Sequence, residues 1–137
     1  TVGQALLSPT RSYAPVILEL LNLMKHEINA IVHCSGGAQT KCLRFGEGIH
    51  FVKNNLMTVP AVFNAIQTAS GTTMKEMYKV FNMGHRMELY VPHRRVQEVI
   101  DVATAFAINA QQIGHTEAAR ENHLSLVDHL GKTIHYP

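Results

Sequence analysis

Long apolar runs are missing from this sequence. None approaches the roughly 20 residues a helix needs to span a bilayer, so no membrane partner is expected. The N-terminus carries no basic segment followed by an apolar one, the pattern of a secretory signal. Cysteine is scarce. Cys34 and Cys42 are the only two, too few for a disulfide framework, and they fit a reducing cytoplasm, the expected localisation. Charge of one sign is missing too. Twelve Lys and Arg against ten Asp and Glu give a net charge of +2. The tightest basic cluster is His93-Arg94-Arg95. Without a basic stripe or interleaved aromatics, no nucleic-acid partner is expected.

The common chemical motifs are absent as well. There is no G-x-x-x-x-G-K-[ST] phosphate loop, no G-x-G-x-x-G dinucleotide loop and no G-x-S-x-G elbow. There is no His-x-x-x-His or Cys-x-x-Cys pair. The nine histidines, among them His26, His50, His115 and His135, fall in separate segments. His33 with Cys34 and Cys42 does not follow a zinc spacing, so no metal site is expected.

What is present is globular composition, 46% apolar and 16% charged over 137 residues. That suits a single domain, 1–137, with a core of its own. No repeat, low-complexity tract or linker interrupts it. The chain opens Thr1-Val2-Gly3 without an initiator Met, as expected of a processed chain or of a piece of a longer one.

Local patterns alternate helices and strands. Residues 1–13 read as extended or loop, and Pro15 suits a first helical turn. Val16, Ile17, Leu20, Leu21, Leu23 and Met24 mark a helix to about residue 26. Residues 28–33 read as a buried strand, 35–37 as a turn, 38–43 as a short helix and 49–52 as a strand. Pro60 opens a helix that Gly71 stops. Thr73 and Glu76 read as a capping box for a helix to about residue 81. Asn82-Met83-Gly84 breaks the chain before a strand at 86–91. A helix follows through Val96, Val99, Ile100, Ala103 and Phe106, then strands at 110–117, 123–127 and 133–135. The closely spaced last strands suggest antiparallel neighbours. The expected class is α+β, a mostly antiparallel sheet covered by helices.

Three segments draw attention. In His33-Cys34-Ser35-Gly36-Gly37-Ala38, a strand ends in paired glycines before a short helix. This reads either as backbone N–H groups offered to an anion or as a tight strand-to-helix turn. In Phe81-Asn82-Met83-Gly84, Gly84 supplies positive φ at a break and Asn82 a local cap. Met77, Tyr78 and Phe81 at helical spacing read as core. In Ser8-Pro9-Thr10-Arg11-Ser12, a hydroxyl and a guanidinium beside a proline turn suit a phosphate. On its own that segment reads as a turn with an exposed Arg.

Taken in order, Leu6-Leu7-Ser8-Pro9-Thr10-Arg11-Ser12-Tyr13, His33-Cys34-Ser35-Gly36-Gly37, Val59-Pro60-Ala61-Val62-Phe63 and Glu76-Met77-Tyr78-Lys79-Val80-Phe81-Asn82-Met83-Gly84 resemble the C-terminal domain of the aminoimidazole ribonucleotide synthetases (phosphoribosylformylglycinamidine cyclo-ligases). The resemblance covers nearly the whole chain. It is closest to a branch with Cys-Ser-Gly-Gly-Ala in place of Ile-Thr-Gly-Gly-Gly, so that Ala38 replaces a third glycine and Cys42 an Asn. His85-Arg86 stands where Ile-Gly is common.

The resemblance implies a homodimeric ATP-dependent ligase of purine biosynthesis. Such an enzyme turns formylglycinamidine ribonucleotide and ATP into aminoimidazole ribonucleotide, ADP and phosphate. The formamide oxygen is phosphorylated, and an amidine-side nitrogen then attacks with loss of phosphate. ATP and Mg²⁺ would be held mainly by an N-terminal domain absent from this chain. Thr10, Arg11, Ser35, Gly36, Gly37, Asn82 and Gly84 would bind substrate or phosphate. His33 is the candidate catalytic residue, as a proton shuttle or as a residue that only orients the loop. The isolated domain is expected to fold without turning over. The competing readings are formylglycinamidine synthetases, selenophosphate synthetases, thiamine-phosphate kinases and a hydrogenase maturation protein of the same superfamily, or a non-catalytic binding domain.

Overall fold

The computed structural model describes residues 1, 3, 4, 7–9 and 11–137. In chain order the elements are α1 (Ala14–Met24), β1 (Ala30–His33), β2 (Ile49–Lys53), α2 (Ala61–Ser70), α3 (Met74–Val80), β3 (Met87–Tyr90), α4 (Val96–Ala105), β4 (Gly114–Ala118), β5 (His123–Val127) and β6 (Thr133–Tyr136). The mixture of helices with antiparallel and mixed sheets is the expected α+β class. The chain forms two compact units, residues 1–31 with 89–112, and residues 32–88 with 113–137. No helix among the described residues is long and apolar enough to cross a membrane.

The first unit is built on α1 and α4. Pro15 lies in the first turn of α1, where its fixed φ favours the helix and its missing N–H leaves no bond unmade. Val16, Leu20 and Met24 recur every fourth residue on one face. With Ala103 of α4 they form a buried core, flanked by Leu89, Val99 and Ile108. Removing each of the three larger side chains from water contributes roughly 1.5–3 kcal/mol. Glu27 is bonded to both Arg94 and Arg95, and Arg95 also reaches Glu98 at 2.5 Å. Residues 25–27 are a 3-10 turn, so β1 starts at residue 30 and not at 28.

The second unit carries a four-stranded sheet in the order β4-β2-β5-β6. Its alternation is clean: Phe51, Leu124, Leu126, Ile134 and Tyr136 are buried, while their neighbours in sequence lie on the opposite face. The antiparallel pairing expected of the last strands holds for β5 with β6, and β2 pairs antiparallel with β4. β4 and β5, however, are not neighbours. β2 lies between them and runs parallel to β5, a long-range insertion that close spacing in sequence does not reveal. β4 also begins at residue 114, four residues later than the pattern suggests. Ala107 takes a left-handed φ of 55° and prolongs the turn after α4.

Helices complete the second unit. Gly71 ends α2 in the left-handed conformation. The Thr73 hydroxyl accepts the Glu76 N–H at 3.3 Å and caps α3. Met77 and Tyr78 of α3 are buried, and α3 packs on the turn after the paired glycines. That turn, Ala38–Arg44, is 3-10 and not α-helical. Strands β1 and β3 form a separate two-stranded sheet.

Candidate functional site

β1 delivers the chain into the paired-glycine loop. His33 and Ser35 are exposed beside each other, with His33 Nδ1 and Ser35 Oγ 3.2 Å apart. Gly36, Gly37 and Ala38 then take left-handed φ values of 63°, 96° and 44° in succession. Glycine adopts this region without the strain a Cβ brings, and successive N–H groups in a tight turn are the kind of donor an anion takes. Among the described residues no protein acceptor takes the N–H of Gly36 or Gly37. Lys41 Nζ donates to the Ser35 carbonyl at 2.8 Å. An Arg44 guanidinium nitrogen lies 3.7 Å from where a Gly37 Cβ would sit. The loop therefore combines free N–H donors, a hydroxyl, an imidazole and two nearby cations. That set suits phosphate oxygens. It does not suit Mg²⁺, which takes oxygen ligands.

The Asn82–Gly84 turn sits against this loop. Gln39, the residue after Ala38, donates from Nε2 to the Asn82 carbonyl at 2.8 Å. The structure thus brings His33, Ser35, Gly36, Gly37, Asn82 and Gly84 into one neighbourhood. Within the turn, Asn82 Oδ1 accepts the Gly84 N–H at 2.9 Å, the local cap that its position suggested. Gly84 has φ of 101°, and a Cβ on it would lie 2.9 Å from Pro60 Cδ. The next residue, His85, is buried. Its Nε2 accepts the Met57 N–H at 2.8 Å, and burial brings its pKa down to about 4.

Beneath the loop lies a buried polar cluster that local sequence patterns did not single out. Lys53 and Glu88 are both 3% exposed and meet at 2.5 Å. Lys53 Nζ also donates to the Gln39 carbonyl at 2.8 Å and to Gln39 Oε1 at 3.2 Å. Glu88 Oε1 accepts the Cys34 thiol at 3.4 Å. Burial, reinforced by the Glu88 charge, pushes the Cys34 pKa up to about 12, so this cysteine is a thiol donor and not a nucleophile. A signal was there: Lys53 shares the inward phase of Phe51 in β2, and a charge at such a position requires a buried partner.

Sheet register also gathers histidines that are far apart in sequence. On the face opposite the core, His50 Nε2 and Ser125 Oγ are 2.9 Å apart, and Ser125 Oγ and His135 Nδ1 are 3.1 Å apart. Glu117 bonds both His50 and His115, which lowers its pKa, His115 contributing most. The His123 ring stacks on His50 at 4.1 Å. Among the described residues, no group of three or more His, Cys, Asp or Glu side chains is placed to hold a metal ion.

Arg11 belongs to the first unit, where its Nη1 donates to the Ala107 carbonyl at 3.2 Å. Thr10 lies outside the described residues.

Comparison with known proteins bears on this architecture. The family model for the C-terminal domain of AIR synthase related proteins matches residues 1–127. A protein of Methanopyrus kandleri named phosphoribosylformylglycinamidine cyclo-ligase is 32% identical over 120 residues, covering 88% of this chain and 34% of that protein. Proteins of the same name from Methanocaldococcus jannaschii (32% identical, 83% of this chain, 33% of that protein) and Brevibacillus brevis (33% identical, 85% and 34%) are similar to it. The chain spans about a third of the length of these curated relatives. Among solved structures, the hydrogenase maturation protein HypE of E. coli shares the fold. Its TM-score is 0.58 at 15% identity, over 93% of this chain and 40% of that one.

Proposed function

Because the chain belongs to the family of AIR synthase related proteins, as their C-terminal domain, we propose that it is the substrate-closing domain of a phosphoribosylformylglycinamidine cyclo-ligase. In this reading the complete protein is an ATP-dependent ligase of purine biosynthesis. It closes the imidazole ring of formylglycinamidine ribonucleotide to give aminoimidazole ribonucleotide, ADP and phosphate. The observation that carries the reading is the run of left-handed residues at Gly36, Gly37 and Ala38, with no acceptor among the described residues for the Gly36 and Gly37 N–H groups.

The chemistry follows from those donors. A formamide oxygen is a poor leaving group until it is phosphorylated, so the site must hold phosphate charge while excluding water. Backbone N–H groups fixed before the ligand arrives need little reorganisation to do this. Gly36 and Gly37 bind a phosphate of the ribonucleotide, with Ser35 adding a hydroxyl and Lys41 and Arg44 adding positive charge. Asn82 and Gly84 form the neighbouring wall. By the resemblance alone, Thr10 and Arg11 are further candidates for binding phosphate. His33, next to Ser35, either moves a proton during ring closure or fixes the hydroxyl of Ser35. Mg²⁺ and most contacts to ATP belong to an N-terminal domain, and the complete protein is a cytoplasmic homodimer.

Calorimetric titration of this chain with formylglycinamidine ribonucleotide, and separately with ATP, tests the assignment. Micromolar binding of the ribonucleotide, weakened by Ser35→Ala or Arg11→Ala, is the expected outcome. Binding of ATP alone, with no response to the ribonucleotide, would move the loop's role to the nucleotide. Unchanged KM and kcat for Arg11→Ala in the complete protein would remove Arg11 from the site.

A further inference from the structure

We infer that Lys53 and Glu88 are positioning residues of the candidate site: their buried ion pair anchors the paired-glycine loop at both of its ends and joins it to the Asn82–Gly84 turn. The ligand-binding arm of this inference rests on the function proposed above. The structural arm does not.

The geometry is specific. An ammonium group has three donors, and the three acceptors of Lys53 Nζ are Glu88 Oε1 at 2.5 Å, the Gln39 carbonyl at 2.8 Å and Gln39 Oε1 at 3.2 Å. Gln39 immediately follows the loop. On the other side, Cys34 immediately precedes Ser35, and its thiol donates to the same Glu88 oxygen. Residues 35–38 thus hang between two anchors on one ion pair. Gln39 is fully buried, and its remaining polar group, Nε2, donates to the Asn82 carbonyl. Lys53 on β2 and Glu88 on β3 therefore set where the loop begins, where it ends and which turn it faces.

Stability alone does not account for such a cluster. Burying two charges costs desolvation that their attraction only partly offsets, and well-packed apolar residues in their place are often neutral or stabilising. An apolar pair would fill the volume but direct neither Gln39 nor Cys34. Gly36 and Gly37 take a left-handed φ freely, but Ala38, at φ 44°, does not, and such a non-glycine conformation persists when its surroundings impose it. Gln39, held by Lys53 next to Ala38, is part of that surrounding. The Cys-Ser-Gly-Gly-Ala form of the loop is consistent with this. A thiol at residue 34 bonds Glu88, and the glutamine at residue 39 accepts from Lys53.

Two variants of the full chain test the inference. Lys53→Met/Glu88→Leu removes the pair without stranding a buried charge. Cys34→Ala/Gln39→Met leaves the pair and removes its side-chain links to the loop, sparing only the bond to the Gln39 carbonyl. In both, ¹⁵N relaxation is expected to report a loosened loop. Order parameters for Gly36, Gly37 and Ala38 should drop from the rigid range of about 0.85 to below about 0.6, while those of β2 and β5 stay high. Unchanged order parameters and amide shifts at 35–39, in a double variant whose strand amides keep their native shifts, would overturn the inference. Should the Lys53→Met/Glu88→Leu variant fail to fold, the same readout on Cys34→Ala/Gln39→Met decides it. In the ligand arm, both variants should bind formylglycinamidine ribonucleotide about ten-fold more weakly or worse, because the loop must then be ordered on binding. Equal affinity would confine the pair to a structural role. If the unaltered chain does not bind the ribonucleotide, the reading of the loop as a preformed half-site fails, the cyclo-ligase reading rests on family membership alone, and the relaxation arm still decides the positioning role.

Discussion

The imidazole of His85 accepts the Met57 N–H through Nε2 at 2.8 Å, which fixes the ring as neutral with its proton on Nδ1. Charging it would remove that acceptor in a site with little access to water. Burial is the main cause of its lowered pKa, about 4 against an ordinary 6.5. The nearby Lys53 charge acts in the same direction, and Glu88 opposes it. In the unfolded chain the same histidine takes up a proton near pH 6.5. Between pH 6.5 and 4 the unfolded state therefore binds more protons, and stability falls as pH falls through that window. The full span corresponds to about 3 kcal/mol. Urea midpoints at pH 7.5 and 4.5 should show it, with a smaller loss for His85→Gln, which accepts the same N–H and does not titrate. Equal pH dependence in the two proteins would exclude His85 as its source.

Thr73 tests the start of α3. Its hydroxyl accepts the Glu76 N–H at 3.3 Å, one of the donors a helix start leaves unpaired. Thr73→Ala should lower stability by about 1 kcal/mol and Thr73→Ser by much less. Denaturant titration of the three proteins measures both. The helix carries Met77 and Tyr78 into the core of the second unit, so loss of the cap is felt globally and not as fraying alone. Identical midpoints for Ala and Thr would show that water satisfies the Glu76 N–H equally well.

The helix starts and the strand phases were legible in the sequence because their causes are local. Pro15, Gly71 and Thr73 act within one turn, and the alternation of β5 and β6 is written in consecutive residues. The insertion of β2 between β4 and β5 has no local cause. It depends on pairing His50 with Glu117 on one side and with His123 on the other, partners more than sixty residues away. Gly114 marks that insertion: a Cβ there would lie 1.8 Å from the Val52 carbonyl oxygen, so only a glycine lets β4 approach β2. For the site, the glycines and Asn82 stood out because turns need them. Lys53 and Glu88 did not, because a charge in a short strand usually faces water, and Gln39 did not, because a neutral polar residue in a turn usually does too. Their meaning appears only when three segments converge.

Two glycines separate conformational strain from crowding. Gly36 and Gly84 both have positive φ, 63° and 101°. A Cβ on Gly36 meets open space, while one on Gly84 lies 2.9 Å from Pro60 Cδ and 3.4 Å from the Thr58 carbonyl oxygen. Gly36→Ala should therefore lose only the backbone term, about 1 kcal/mol. Gly84→Ala should lose that and the displacement of a proline ring held by α2, reaching about 2–3 kcal/mol. Denaturation midpoints give the order directly. A larger loss at Gly36 would mean that the loop is more crowded than its geometry indicates.

Cys34 and Cys42 differ from reactive cysteines in what surrounds them. Both are free, and they are 3% and 1% exposed. Cys34 donates to Glu88 Oε1 and Cys42 to the Gln39 carbonyl, each at 3.4 Å. The thiolate is the reacting species, and with the Cys34 pKa at about 12 only about one molecule in ten thousand holds it at pH 8. A negatively charged aromatic disulfide reagent at pH 8 should therefore leave Cys34 unmodified on the timescale at which a small-molecule thiol reacts fully. Both thiols should titrate at once in denaturant. The rate should also rise in Glu88→Gln, since removing the neighbouring charge lowers the cost of forming the thiolate. Rapid modification of the native chain, abolished by Cys34→Ser, would mean that the loop opens often enough to release its own anchor. The order parameters at residues 36–38 would then have to be low in the unaltered chain as well.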